Sequence, residues 1–227
     1  KLKKNNIDTS NIIISNNHKT GVAGIHVDKN TGKNAITVVR GAPSSLTTNE
    51  INTNSIKDSK IFLTQLEIPT DVTLHCLKNA KENGLISILN PAPACKLSND
   101  FFKLVDYFTP NETEAEFYTG IKINDENDAK VSAKKLIDMG IKKVIITLGE
   151  KGLFYSDGKD EIYLKALPIK KVEDTTGAGD AFNGGLAYAL SQNKNIKDCL
   201  NIANQVAGLS TLKLGAGDSM PSLSDLK

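Results

Sequence analysis

The chain opens with the patterning of a sheet. In TGVAGIHVDKNTGKNAITVV, residues 20–39, two apolar runs flank the polar stretch DKNTGKN with Gly32, and neither run has helical spacing. They predict a hairpin, and the first 40 residues as a whole read as β. In LTTNEI, Thr47 stands three residues before Glu50, the spacing of a capping box. From residue 60 the rhythm changes to alternation. KIFLTQLE is a short apolar strand. TDVTLHCLKNAKENG has helical spacing at Val72, Leu74, Leu77 and Ala80 and stops at Gly84. LISILNPAP is again a strand, closed by prolines. A short helical piece leads to VDYFTPNETEAEFYTG, read as strand, turn and helix. DENDAKVSAKKLIDMG is an amphipathic helix ending at Gly140, and KKVIITLG is a strand. GLFYSDG and DEIYLKALPI form a second hairpin. GAGDAFNGGLAYALSQN and NIKDCLNIANQVAGLSTLKLG are two helices.

Strands alternating with helices predict an α/β fold with a mostly parallel sheet and crossover helices. The division expected is residues 1–42 as a β-rich piece, which the resemblance given below makes part of a β lid, and 43–227 as an α/β domain. In open parallel sheets, ligands bind beyond the carboxyl ends of the strands. Here those ends carry TQLE, NPAP, PNETE and TLGEKG, which together predict a polar cleft.

Composition narrows the function classes. A chain of 227 residues with 39% hydrophobic and 24% charged residues is long enough for a sizeable core. Its net charge of +2 gives no basic footprint for nucleic acid. No apolar run approaches the roughly 18 residues of a membrane span, and no leader pattern is present. Cys76, Cys95 and Cys199 lie far apart without C-x-x-C spacing, and His18, His26 and His75 form no ligand pair. This argues against a disulfide framework and against a His or Cys metal site, and it points to a reducing, cytoplasmic setting.

The chemistry concentrates in VEDTTGAGDAFNGG, residues 172–185. It is neither of the two common phosphate motifs. The dinucleotide fingerprint needs glycine where Phe182 stands, and the P-loop needs lysine where Gly185 stands. Gly177 and Gly179 at a helix start nevertheless let successive N–H groups converge into an anion-binding concavity, reinforced by the helix dipole. Asp180 sits in the same turn. A carboxylate there opposes simple phosphate binding, but it suits removal of a proton from a hydroxyl attacking a phosphoryl group. The bland alternative is a helix cap behind a glycine turn.

DTTGAGDAFNGG closely resembles the C-terminal signature of the ribokinase-type (phosphofructokinase-B-like) carbohydrate kinases. TGVAGIHVD, QLEIP, LNPAP, TPNETEAEFYTG, VIITLGEKG and KLGAGDSMP match further family segments in order. The resemblance implies a three-layer α/β/α sandwich with a small β-sheet lid. It also implies ATP-dependent phosphorylation of a sugar hydroxyl, with ribose as the leading acceptor. A fructose or nucleoside acceptor, or noncatalytic nucleotide binding, is the alternative.

The resemblance further implies a role for each matched residue. Asp180 is the base, and Gly177, Ala178 and Gly179 supply the anion hole. Asn111 and Glu114 organise Mg²⁺; an acidic first helix turn is the plain alternative for PNETE. Thr147, Gly149 and Gly152 contact ATP, Asn204 lies beside the adenine, and Glu67 contacts the sugar. Asp174, Thr176, Ser210, Lys213, Gly215 and Ser219 form a K⁺ site. A homodimer through the lid is implied as well. Nothing here matches the family's early aspartate and Gly-Gly segment, so roughly the first quarter of a family chain is expected to be missing.

Overall fold

The computed structural model describes residues 2–29, 31 and 34–226. Strands β1 (Val22–Val27) and β2 (Asn34–Val39) pair antiparallel, with Val22 opposite Val39. The hairpin tip with Gly32 lies outside the described residues. This is the expected small sheet, and its apolar side chains are uncovered: Val22, Ile25, Ile36, Val38 and Val39 are all exposed.

The reading of the entire N-terminal stretch as β is corrected. Leu2–Asn5 is one 3-10 turn, residues 6–21 contain no strand, and Ile14 is 85% exposed. An isoleucine run favours extended backbone, but a strand persists only where a neighbour takes its hydrogen bonds. None of the described strands runs beside this segment. The capping box forms as expected: the Glu50 carboxylate accepts from the Thr47 N–H at 2.8 Å and from its hydroxyl at 2.7 Å. It opens only a single 3-10 turn, Thr48–Glu50.

The main sheet has six strands in chain order: β3 (Ile61–Thr64), β4 (Ile86–Leu89), β5 (Tyr107–Phe108), β6 (Lys143–Thr147), β7 (Leu153–Ser156) and β8 (Glu161–Leu164). The first four are parallel; β7 and β8 join antiparallel, as the second hairpin. Helices α1 (Thr70–Glu82), α2 (Asn99–Leu104), α3 (Glu112–Thr119) and α4 (Glu126–Asp138) come from the first half of this domain. Helices α5 (Ala178–Ser191), α6 (Ile196–Ser210) and the short α7 (Ala216–Ser219) follow the sheet.

Because successive strand residues face opposite sides, the sheet builds two cores. Leu89, Phe108, Val144, Ile146 and Phe154 pack with Leu77, Phe102, Ala133 and Leu136 from α1, α2 and α4. Ile88, Tyr107, Ile145, Leu153 and Tyr155 pack with Phe182, Leu186, Leu200 and Ala203 from α5 and α6. Both faces are covered, as a parallel sheet requires, and the result is a three-layer α/β/α sandwich. Gly185 allows α5 and α6 to close up: a Cβ there would stand 3.0 Å from the Ala203 Cα.

Candidate active site

The parallel strands β3 to β6 end on one side of the sheet, where the chain carries polar residues instead of core. Two of the four predicted strand ends meet the start of α5 in one cleft of about 460 Å³. Its lining includes Thr64, Gln65 and Glu67 after β3, Asn90 after β4, and Asp180 and Asn183 on α5. Glu67 and Asp180 therefore face the same space. The other two strand ends pair beside it: Asn111 forms a parallel bridge with Thr147, whose N–H donates to the Pro110 carbonyl at 2.9 Å.

The start of α5 turns on a glycine, and its Ala178 N–H donates to the Thr175 carbonyl at 3.2 Å. Gly177 is its N-cap, with φ +78°, in the left-handed region. A Cβ at that position would also press on the Met220 methyl at 3.1 Å and the Ala216 Cβ at 3.2 Å. Ala178, Gly179 and Asp180 form the first turn, where N–H groups lack helical acceptors. The Asp180 carboxylate accepts from the Gln65 side-chain N–H at 2.8 Å. Burial against the cleft wall pushes its pKa up, and the Gln65 hydrogen bond opposes that in part. A carboxyl shifted upward is a better proton acceptor once ionised.

Asn111 and Glu114 cap α3 together. The Asn111 Oδ1 accepts from the Glu114 N–H at 2.8 Å, and Glu114 Oε2 accepts from the Asn111 N–H at 2.9 Å. Burial raises the Glu114 pKa, the Asn111 N–H lowers it, and Glu112 raises it further. The plain alternative, an acidic first turn, is present in Glu112 and Glu114, and the pair adds a capping box that the sequence reading did not name. In the loop after β6, Gly149 (φ +53°) and Gly152 (φ +112°) are both left-handed, and the Leu148 N–H donates to the Gly152 carbonyl at 2.8 Å. The Asn204 amide on α6 donates to the Lys165 carbonyl at 2.8 Å, which ties that helix to the segment after β8.

Of the residues the resemblance names for a cation, Thr176 and Gly215 bond directly to Asp174. This side chain is 2% exposed. Its Oδ1 accepts from the Thr176 N–H at 2.8 Å and its Oδ2 from the Gly215 N–H at 2.9 Å. The Asp174 N–H in turn donates to the Thr211 carbonyl at 3.3 Å. Asp174 therefore ties the turn at Thr176 to the segments at Thr211 and Gly215, beside the start of α5. The Ser219 hydroxyl donates to the Ala216 carbonyl and that of Ser210 to the Ala207 carbonyl, each at 2.8 Å. Lys213 is exposed on the same loop.

Burial pushes the Asp174 pKa up, but the bonds from Thr176 and Gly215 outweigh this and leave it below its ordinary value. A depressed folded value means stability that is present above the unfolded pKa, near 3.9, and lost as pH falls through the folded one. Asp174→Asn should therefore cost about 1–3 kcal/mol near neutral pH, because an amide nitrogen would face an N–H. Thermal melts from pH 7 to pH 3 should show the gap to the parent chain closing at the acid end.

Sequence reasoning gave no role to four polar residues: Gln65, Asn90, Thr109 and Asn183. The Gln65 amide also donates to the Asn90 Oδ1 (3.2 Å), and Asn90 donates to the Thr109 carbonyl (3.1 Å). The Thr109 hydroxyl donates to the Asn183 Oδ1 (2.8 Å), and Asn183 donates to the Gly179 carbonyl (2.9 Å). One signal was legible: Asn183 is a polar residue on an otherwise apolar helix face.

Comparison with known proteins places the chain in a family. The family model for pfkB family carbohydrate kinases matches residues 1–223. The chain belongs to the pfkB family of carbohydrate kinases. It is 40% identical over 219 residues to the ribokinase of Haemophilus influenzae, covering 95% of this chain and 71% of that protein. It is 38% identical over 224 residues to the bifunctional ribokinase/ribose-5-phosphate isomerase A of Fructilactobacillus sanfranciscensis, covering 97% of this chain and 41% of that one. The structure of Arabidopsis thaliana ribokinase complexed with ribose and ATP superposes with a TM-score of 0.84 at 29% identity, over 92% of this chain and 69% of the other. The chain thus spans only part of the length of each of these relatives.

Proposed function

We propose that the chain is the catalytic part of an ATP-dependent sugar kinase, with D-ribose as the acceptor and ribose 5-phosphate as the product. The observation that carries this reading is the first turn of α5, which puts Asp180 beside the glycine-built N–H cluster and opens on the cleft with Glu67. Relatives named ribokinase, one of them solved with ribose and ATP, support the choice of substrates. In this reading Glu67 orients the sugar and Asp180 takes the proton from its attacking hydroxyl. The N–H groups of Gly177, Ala178 and Gly179 stabilise the charge on the phosphoryl oxygens. Thr147, Gly149 and Gly152 hold the nucleotide phosphates, and Asn204 lies toward the adenine.

Two cations belong to the proposal. Asn111 and Glu114 are oxygen donors of the kind a hard divalent ion takes, and they would hold Mg²⁺ with its waters. Bound there, it would neutralise charge on the nucleotide phosphates. For K⁺, the fit rests on Asp174: its carboxylate is buried, and no lysine or arginine among the described residues pairs with it. The N–H groups of Thr176 and Gly215 hold its ionised form, so the site keeps a buried net negative charge that a cation would balance. A weakly hydrated cation held by Asp174, the Ser219 hydroxyl and the carbonyls of Thr176, Ser210, Lys213 and Gly215 would compensate it behind the anion hole.

Residues 1–42 would serve as part of a lid. The uncovered apolar residues of β1 and β2 support its pairing with a second copy. Three free cysteines fit the reducing cytoplasm. The test is coupled ADP release with ribose, fructose and adenosine offered separately, with Mg²⁺, with and without K⁺. Turnover on ribose that rises with K⁺ is expected. Turnover on another acceptor alone would replace the substrate. ATP binding without turnover on any would leave a noncatalytic binding protein.

A further inference from the structure

We propose that Gln65 is the positioning residue of the transfer step: its amide fixes one oxygen of Asp180 so that the other faces the acceptor hydroxyl, while the chain Asn90–Thr109–Asn183 ties the Gly179–Asp180 peptide to the same frame. This rests on the kinase reading of Asp180 and adds to it the device that holds the base in place from both its side chain and its backbone.

The geometry is a pair of arms from one amide. Gln65 Nε2 donates one hydrogen to Asp180 Oδ1 at 2.8 Å and the other to Asn90 Oδ1 at 3.2 Å. Both N–H bonds are spent, so the amide has one sense. Turned over, its oxygen would face a carboxylate and a carbonyl oxygen. The second arm continues through side chains that are almost wholly buried: Asn90 is 8% exposed, Thr109 1% and Asn183 4%. Every donor along it points toward α5, and it ends on the Gly179 carbonyl. That carbonyl belongs to the same planar peptide as the Asp180 N–H. Holding it therefore fixes the peptide that leads into Asp180, the residue that carries the base.

The two arms join the ends of β3, β4 and β5 to the first turn of α5. Buried polar networks of this kind rigidify when every member is satisfied. Among the described residues no buried side-chain nitrogen or oxygen lacks a partner. A loosely held base loses rate steeply, since about 1 Å of misplacement can cost on the order of 100-fold. The network lies at the carboxyl ends of β3, β4 and β5, each of Asn90, Thr109 and Asn183 standing one residue beyond a core position (Leu89, Phe108, Phe182), so it closes the cores on the side of the cleft. Glu67 and Asp180 are the only ionisable side chains among the residues lining the cleft, so few charges compete in setting the titration of Asp180.

The test is a set of variants of the whole chain read in two ways. The first reading is the pH profile of kcat/KM for ribose with ATP. The second is the carbon-13 titration of the aspartate carboxyls, with Asp180→Asn identifying the Asp180 signal. Gln65 lowers the Asp180 pKa in the parent chain. Gln65→Met should move the Asp180 titration and the acid limb upward together. It should also lower kcat by about 10- to 100-fold on the plateau, with the KM for ATP unchanged. Gln65→Glu should move both further up, because a second carboxyl shares the site; it also serves if the methionine variant fails to fold. An unmoved carboxyl titration and acid limb in a folded variant would overturn the proposal. So would a change confined to the KM for ATP. If Asp180→Asn keeps its turnover, the reading of Asp180 as base falls, and this proposal with it. If Asp180→Asn is inactive while the Gln65 variants titrate like the parent, the Gln65 proposal alone fails.

Discussion

Asp180→Asn is expected to lower turnover by about 10²- to 10⁴-fold, the range a positioned general base contributes. The substitution is nearly isosteric, and the new side chain keeps an oxygen for the Gln65 amide, so the first turn of α5 should hold its shape. What disappears is the only lone pair in that turn able to take a proton from an acceptor hydroxyl. ATP affinity should stay within a few-fold, because the N–H cluster and the loop at 147–152 are untouched. Stability should be equal or slightly higher. Burial has raised the Asp180 pKa, so the ionised carboxylate is held at some cost in the fold. Calorimetric ATP titration, a thermal melt and an ADP-release assay on one preparation check all three. Turnover within a few-fold of the parent would remove Asp180 from the chemistry.

Gly152→Ala should be the most damaging single methyl addition in the nucleotide loop. Gly152 has φ +112°, a region closed to side-chain-bearing residues, and a Cβ there would overlap the backbone carbonyl oxygen of Leu164. Strained backbone costs about 1–3 kcal/mol and overpacking about as much again, so a loss of roughly 4 kcal/mol is expected. For a domain of this size that lowers the melting midpoint by about 10 °C. ATP binding should weaken too, because the turn between β6 and β7 cannot keep its course. Gly184→Ala is the control. Gly184 lies within α5, and a Cβ there meets nothing within 4 Å. It should stabilise the chain by about 0.5–1 kcal/mol. Equal melting points for the two variants would show that the close approach at Gly152 does not exist in solution.

The sequence carried the α/β alternation because strands and helices bury with different periods. Leu77, Ala80 and Val72 mark one face of α1, and Val144 to Ile146 mark a strand covered on both sides. It did not carry the fate of residues 6–21. There the isoleucines predict a strand, but strand formation depends on a neighbour that composition cannot reveal. The glycine turn at the start of α5 and its aspartate were legible because Gly177 to Asp180 are contiguous. The Gln65 network was not, because its hydrogen bonds join residues 25, 74 and 115 positions apart. The strand ends TQLE and NPAP marked Gln65 and Asn90 as cleft residues, but not which partner each would take. Asn111 and Glu114 stand between these cases: the resemblance named them for a metal, and the fold uses them as a helix cap that the sequence reading did not name.

The most direct test of phosphoryl transfer is to follow the phosphorus. The chain is mixed with ATP, Mg²⁺, K⁺ and ribose, and phosphorus-31 spectra are taken as the ATP is consumed. The expected result is loss of the γ-phosphate signal with equal growth of a sugar phosphomonoester, coupled to the protons of the ribose C5 carbon. Inorganic phosphate as the sole new signal, or ATP that stays intact although calorimetry shows it bound, would contradict phosphoryl transfer to a sugar by this chain.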